Sequence, residues 1–256
     1  MAQSSGRLSP RQKMINLMYI VLTAMLALNV SSDVLEGFSQ VEEGLRRSNN
    51  TVTTRNDAIL AKLTLFSEQN PEKGTQWLNK ALEVREATDL MIDRIDSLKW
   101  LIVRAADGKN ADINNINRRD DLESASVVML NPSTLRGEQL RGQIDAYRDF
   151  ISTIVTDTTK MSGIAASLST DEEPIKGSGV KRLWEVAKFE NQPVVAAVTL
   201  LTKLENDVRF AEGEALSALL ANVDAGDVRV NELNAFVIPQ SRFVMRGEKY
   251  SANIVL

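Results

Sequence analysis

The uncharged stretch from Met14 to Ser32 constrains this chain more than any other feature. Its nineteen residues carry no charge. Charged residues close it on both sides: Arg11 and Lys13 before it, Asp33 and Glu36 after it. At about 1.5 Å per residue, a helix of this length matches the hydrocarbon thickness of a bilayer. Eight Leu, Ile and Val side chains offset the cost of its few polar residues. The pattern predicts a transmembrane helix over residues 14–32.

A cleaved signal peptide is the alternative interpretation of this stretch. Signal peptides have an apolar region of about 7–15 residues, followed by a small-residue cleavage site. The stretch in this chain is longer, and Ala27-Leu28-Asn29 matches a cleavage site poorly, which favours an uncleaved anchor. The basic residues on its N-terminal side then predict a cytoplasmic segment over residues 1–13, with the rest of the chain across the membrane.

The composition argues against several classes of function. The chain contains neither Cys nor His, so it has no disulfide, no zinc–thiolate site and no imidazole base. A net charge of −4 argues against nucleic acid as a partner. The sequence also lacks a Gly-rich phosphate loop, a His-Glu-x-x-His helix and a Ser-centred elbow. We therefore predict a protein that is not an enzyme and that needs no metal or cofactor.

Apolar residues recur with helical spacing from the uncharged stretch to Asp224. Before the breaker Asn70-Pro71, one set recurs every seven residues and predicts a seam for a dimer or a bundle: Phe38, Leu45, Val52, Ile59 and Phe66. The middle of this helix, residues 48–51, is polar and offers little apolar burial. Three more amphipathic helices are predicted, one of them continuous from Pro132 to about Leu168. Residues of the kind that face a common core are Trp77, Leu98, Ile151 and Leu201.

The pattern changes after Asp227 to short β-type runs, including 235–238 and 253–256. These runs are too few to close a sheet, so we expect the natural protein to continue beyond residue 256. The sequence therefore predicts a mainly α protein with a single N-terminal transmembrane helix. That helix continues into a periplasmic helical bundle over 33–224, and residues 225–256 begin a β domain.

Small and polar residues follow one side of the predicted span. They step by three or four positions: Gln12, Asn16, Tyr19, Thr23, Ala27 and Val30. Such a stripe is typical of helix–helix contact, because small residues permit close approach and polar residues can hydrogen-bond. A second copy or a different membrane protein is expected to meet it. The span contains no carboxylate, so a proton-driven mechanism would need a protonatable group on the partner.

The residues around the span also carry a family resemblance. Residues 8–19 (LSPRQKMINLMY) and 24–31 (AMLALNVS) resemble the start of the GldM/PorM family, inner-membrane motor proteins of gliding motility and type 9 secretion in Bacteroidota. The resemblance implies a proton-motive-force-coupled subunit, driven by several copies of a GldL/PorL-like membrane protein that carries an intramembrane glutamate. It also implies that the periplasmic part transmits force to outer secretion and gliding ring components. The family pattern implies in addition that the β domain begun by residues 225–256 is a β-sandwich. A passive tether and a transmembrane sensor are the alternatives, and the sensor is disfavoured because only thirteen residues precede the span.

Two further expectations concern Arg11 and the assembly. Arg11 belongs to the Pro-Arg-Gln-Lys motif of that family and lies at the cytoplasmic mouth of the span. Either Arg11 and Lys13 only satisfy the positive-inside rule and reach lipid phosphates, or Arg11 pairs with a partner carboxylate near the bilayer. The seam and the stripe together predict a parallel homodimer, although packing within the bundle competes for the same face.

Overall fold

The computed structural model of the chain describes residues 9–28, 32–175, 179–226, 236–239 and 252–255. Helices account for most of them. In chain order the helices are α1 (Pro10–Leu28), α2 (Ser32–Gln69), α3 (Pro71–Asp107), α4 (Ser124–Met129), α5 (Arg136–Ser152), α6 (Thr158–Ser167), α7 (Trp184–Phe189) and α8 (Val194–Gly226). A 3₁₀ turn over Gly108–Asn110 follows α3. The strands form two antiparallel pairs: β1 (Glu173–Pro174) with β2 (Lys181–Arg182), and β3 (Phe236–Pro239) with β4 (Ala252–Val255).

Helix α1 covers the first fifteen positions of the predicted span. Ser9 caps the N-terminus of α1, because its side-chain oxygen accepts a hydrogen bond from the backbone N–H of Gln12 at 3.3 Å. Among the residues that the structure describes, none of the helices combines the length and the hydropathy needed to cross a membrane. Residues 29–31 of the predicted span lie outside the described residues. The transmembrane helix over 14–32 therefore stays a prediction.

Helices α2 and α3 form an antiparallel hairpin whose connection is the single residue Asn70. The predicted breaker is confirmed, since α3 begins at Pro71, a residue that lacks an N–H and suits the first helical position. The two helices approach closely at Gly74, where an added Cβ would lie 2.5 Å from the Cα of Ser67. Only a glycine fits this contact without moving the backbone of α2.

The third predicted helix is wrong in its bounds. The structure divides it into α5 and α6, and the intervening residues 153–157 are mostly β-branched, a residue class with low helix propensity. Asp157 caps α6, since its carboxylate accepts backbone N–H groups from Thr159 at 2.8 Å and Lys160 at 3.3 Å. A capping residue satisfies the free N–H groups of a new helix, so this short polar residue starts α6 here.

The apolar core lies between α3, α5 and α8. Its fully buried side chains include Ile95, Leu98, Ile102, Leu140, Ile144, Ile151, Leu201, Val208 and Leu216. Three of the four predicted core residues are among them, whereas Trp77 is half-buried. Helix α2 differs from the other long helices, because three of its five buried residues are polar: Asn49, Asn56 and Ser67. Helix α2 therefore contacts the bundle through buried hydrogen-bonding side chains as well as through apolar ones.

The β-type runs predicted near the C-terminus form strands. Strand β3 pairs with β4 from Phe236 opposite Val255 to Pro239 opposite Ala252. These strands belong to a second compact unit over residues 221–256. The residues that separate them in the sequence lie outside those described.

We expect residues 33–224 to fold without the segments on either side, because the apolar core lies between Leu35 and Val223. Circular dichroism of this fragment should show strong helicity and a cooperative thermal transition. A fragment with a disordered spectrum would contradict the prediction.

Candidate functional site: a buried polar ladder

A first set of polar side chains joins α2, α3 and α8 inside the bundle. Asn49 on α2 donates hydrogen bonds through Nδ2 to the backbone oxygen of Thr202 at 3.3 Å and to Glu205 Oε2 at 3.1 Å. The other carboxylate oxygen of Glu205 lies 2.6 Å from Lys99 Nζ on α3. Asp96 shares that ammonium at 3.3 Å. A buried carboxylate thus has an amide donor on one side and a cation on the other.

A second set repeats this arrangement further along the same helices. Asn56 donates through Nδ2 to the backbone oxygen of Arg209 at 2.9 Å and to Glu212 Oε2 at 2.8 Å. Glu212 Oε1 lies 2.9 Å from Arg85 Nε on α3, an ion pair without a hydrogen bond between these two atoms. Arg85 also reaches Asp57 Oδ1 at 2.6 Å. Asn56 and Glu212 are both 0% exposed.

The two sets are related by one heptad, and we call them the rungs of a polar ladder. In each rung the asparagine and its two acceptors on α8 are 153 and 156 positions apart. Equal separations mean that α2 and α8 lie side by side, run parallel and keep one register. An asparagine inside a parallel helix pair is a known determinant of register, because sliding the helices would leave it without a partner.

The polar contact between α2 and α8 continues towards the start of α2. Thr202 Oγ1 donates to Glu42 Oε1 at 3.3 Å, and Thr199 Oγ1 donates to the backbone oxygen of Phe38 at 3.3 Å. The register set by the ladder therefore extends along α2 towards its N-terminal end.

A buried tyrosine connects α5 to the other two core helices near the second rung. The hydroxyl of Tyr147 lies 2.9 Å from Thr88 Oγ1 on α3 and donates to the backbone oxygen of Val208 on α8 at 3.2 Å. Burial raises the pKa of Tyr147, so this hydroxyl stays protonated and can act as a donor. Buried polar contacts thus join α5 to α3 and α8, in addition to those that join α2 to α3 and α8.

Burial raises the pKa of both ladder carboxylates. For Glu205, burial and a hydrogen bond with Asp96 outweigh the attraction of Lys99 and raise the pKa to about 7. For Glu212, burial raises the pKa although Asn56 and Arg85 favour the charged form. The ladder therefore holds carboxylates that ionise less readily than ordinary ones.

The two rungs differ at one equivalent position of α8. In the first rung Asn206 donates to Asn49 Oδ1 at 2.8 Å. Seven residues later the equivalent residue is Gly213, and an added Cβ there would lie 2.6 Å from Asn56 Oδ1. The absence of a side chain at Gly213 lets α8 approach α2 closely enough for the second rung to form.

We expect Gly213→Ala to lower the free energy of unfolding by about 1–3 kcal/mol, since Asn56 is fully buried and would have to give up its hydrogen bonds to move away. Gly142→Ala is the matched control, because this helical glycine is exposed and has nothing within 4 Å of an added Cβ. The control should stabilise the protein by about 0.5–1 kcal/mol. Urea unfolding of both variants measures the difference, and a neutral Gly213→Ala would contradict the close contact.

The predicted seam lies beside the ladder on α2. Its five members are all half-buried: Phe38, Leu45, Val52, Ile59 and Phe66. The fully buried positions belong to the neighbouring heptad set, which includes Leu35, Asn49, Asn56 and Leu63. The role of the seam in a homodimer stays a prediction.

The predicted membrane residues lie on α1. Arg11, Gln12, Asn16, Tyr19 and Thr23 have exposed side chains. Ala27 follows on the same helix, and Val30 lies outside the described residues. Within the described ranges, no hydrogen bond or ion pair joins these residues to the polar ladder. Their roles as a partner ion pair and a contact stripe stay predictions.

Sequence reasoning missed the ladder. We predicted little apolar burial in the polar middle of α2, whereas Asn49 is buried there in the structure. A usable signal was present, because two asparagines on α2 and two glutamates on α8 are each seven residues apart. A matched heptad of polar residues on two helices indicates a shared polar interface.

Two family matches cover the chain almost end to end after the predicted span. Residues 33–222, well over half of the chain, match the GldM N-terminal domain, and residues 224–256 match the GldM second domain. No curated protein matches the chain closely enough to be compared with it. The resemblance noted around the span is therefore supported by independent parts of the sequence. The chain belongs to the GldM family, whose members are inner-membrane-associated components of gliding motility and type 9 secretion and are not known as enzymes.

Proposed function

We propose that this protein is a motor subunit that transmits force from the inner membrane to the type 9 secretion and gliding machinery. Residues 14–32 form its transmembrane helix, residues 1–13 lie in the cytoplasm, and the bundle lies in the periplasm. One observation carries the proposal: α2, which follows the predicted span, is fixed in register against α8 by two polar rungs.

Directional bonds suit a helix that must carry force. Apolar seams are non-directional, so a helix under load can slide or rotate along them at modest cost. A helix held by the ladder cannot do so, because separating a buried carboxylate from its partners costs about 3–5 kcal/mol. Rotation or displacement of α2 would then pass to α8 and the core.

The driving step belongs to a partner in this proposal. The predicted span contains no carboxylate, so the protonatable group is the intramembrane glutamate of a GldL/PorL-like protein. In a low dielectric, Arg11 attracts such a carboxylate strongly while it is ionised and weakly once it is protonated. Proton passage would make and break this contact and move the span. Outer periplasmic ring components would receive the resulting movement.

We also propose that two copies associate in parallel. The part of the stripe from Gln12 to Thr23 on α1 is exposed and offers a contact surface within the membrane, for either a second copy or the partner. Mass measurement in detergent, with the partner removed, should give a dimer. A monomer would contradict this part of the proposal.

Substitution of Arg11 tests the proposed drive. Arg11→Gln should abolish proton-driven secretion and gliding, and Arg11→Lys should reduce them strongly, because an ammonium cannot bind a carboxylate bidentately. Lys13→Gln is the matched control that removes an equal charge next to the same span. If both Arg11 variants insert normally and support wild-type secretion and gliding, the role of Arg11 is limited to orienting the span in the membrane.

An uncoupler separates a motor from a passive tether. Secretion and gliding that persist after the proton gradient is dissipated would favour the tether. A rapid and reversible stop with the protein still inserted would favour the motor.

Replacing the first rung by apolar residues tests force transmission separately from stability. The triple variant Asn49→Leu, Glu205→Leu and Lys99→Met removes the three buried polar side chains of the rung together and leaves Asp96, which is mostly exposed. Such replacements of buried ion pairs are often neutral or stabilising. We expect a bundle that melts at or above the wild-type temperature but supports less secretion and gliding. Wild-type function in this variant would show that the polar register is not needed for force transmission.

A further inference from the structure

A cavity of about 340 Å³ lies on another face of α8 from the ladder. Its apolar lining comes from four helices and includes Ile144, Leu168, Trp184, Phe189, Leu201 and Leu204. The rings of Trp184 and Phe189 meet edge to face, with centroids 6.0 Å apart. Clefts of about 300–1,000 Å³ with apolar walls and a few polar groups are typical of small-molecule sites.

Acidic groups dominate the rim of this cavity. Four carboxylates line it, those of Asp171, Glu172, Glu173 and Asp207, against the two ammonium groups of Lys188 and Lys203. Lys188 pairs with Glu173, and Lys203 Nζ lies 2.5 Å from Asp207 Oδ2. The rim therefore carries more negative than positive charge.

Asp207 is the buried charge of this rim. Its side chain is 14% exposed, whereas that of its partner Lys203 is 54% exposed. Burial raises the pKa of Asp207, although Lys203 favours the charged form. A carboxylate removed from water gains from a close cation, while an exposed lysine loses little when it returns to solvent. A ligand cation within the cavity would therefore compete with Lys203 for this carboxylate.

We propose that this cavity binds a small amine on an apolar body, with the ammonium at Asp207 and the aromatic or branched aliphatic body against Trp184 and Phe189. The proposal is independent of the proposed motor function. The same chemistry occurs in free amines and at the N-terminus of a peptide that begins with an apolar residue, so the test includes both.

Calorimetric titration of the full chain in detergent with phenethylamine tests the site, and 2-phenylethanol is the neutral control of the same shape. We expect saturable binding of the amine at least about tenfold tighter than that of the alcohol. A short peptide with N-terminal phenylalanine identifies the source. Tighter binding of the peptide assigns the site to peptide N-termini, and the reverse order assigns it to free amines.

Two variants and one control substitution separate loss of ligand binding from damage to the fold. Asp207→Asn should weaken amine binding about tenfold or more, and Asp149→Asn, outside the cavity lining, should not. Lys203→Met removes the competing ammonium and should tighten amine binding, an effect that general damage to the fold would not produce. The proposal is wrong if phenethylamine fails to bind, if the alcohol binds equally well, or if Lys203→Met leaves the amine affinity unchanged or weaker.

Discussion

Glu212→Ala should lower the free energy of unfolding by up to about 3–5 kcal/mol, because it removes the buried partner of Arg85 and leaves it only the exposed carboxylate of Asp57. Glu212 is fully buried and Arg85 is 18% exposed. Asn56 would also lose the acceptor that it reaches at 2.8 Å. Urea unfolding followed by circular dichroism measures the loss, and the slope with denaturant should stay unchanged.

Glu43→Ala is the matched control for this substitution. Glu43 also pairs with an arginine, Arg47, at 3.5 Å, but both side chains are exposed. Exposed pairs contribute about 0–1 kcal/mol, so the control should be nearly neutral. The double variant Glu212→Leu with Arg85→Met should recover much of the lost stability, because no buried unpaired charge remains and Asp57, the other partner of Arg85, is exposed. A Glu212→Ala variant within about 1 kcal/mol of wild type would show that the second rung is not tightly packed.

Glu205 should make the free energy of unfolding fall as the pH rises from about 5 to about 8. Its pKa rises from 4.5 to about 7 on folding, chiefly because of burial. Between these values the folded protein keeps a proton that the unfolded chain has released. The stabilisation is therefore complete below 4.5 and is lost as the pH passes through about 7. A difference of this size corresponds to about 3 kcal/mol.

The composition makes the pH dependence of stability easier to assign to carboxylates. The chain has no histidine, so no imidazole titrates in the same window. Glu205→Gln keeps the shape of the side chain but cannot ionise, so its stability should change much less between about pH 5 and about pH 8. Equal losses in the two proteins over this window would assign the pH dependence to other groups, among them Glu212.

The local elements were predictable because their signals are local. Pro71 cannot continue the hydrogen-bonding of α2 and suits the first turn of α3, so the hairpin is visible in a few letters. The misjudged helix has a local cause as well, because Asp157 caps a new helix within an apparently continuous periodicity. A prediction based on apolar spacing alone does not detect this cap and therefore joins the two helices into one.

The family was identified from the resemblance, because physical reasoning from the residues does not by itself lead to a family. Residues 8–31 indicated it, and the matches over 33–222 and 224–256 confirm it from other parts of the chain. The cavity beside α8 had no comparable signal. Its lining comes from segments that are distant in sequence, between Ile144 and Asp207, and each of them reads as an ordinary helix or loop.

The sequence by itself determined the mainly helical class, the positions of α2, α3 and α8, and the exclusion of cysteine and histidine chemistry. Only the tertiary structure decided that the polar middle of α2 is buried. The sequence around an asparagine at a heptad position does not show whether its side chain contacts water or a carboxylate. Asn49 and Asn56 meet carboxylates that are 156 positions away, and the cations that balance them lie on a third helix. Local periodicity cannot encode which of several amphipathic helices will become the neighbour, because that choice depends on how all of them pack together.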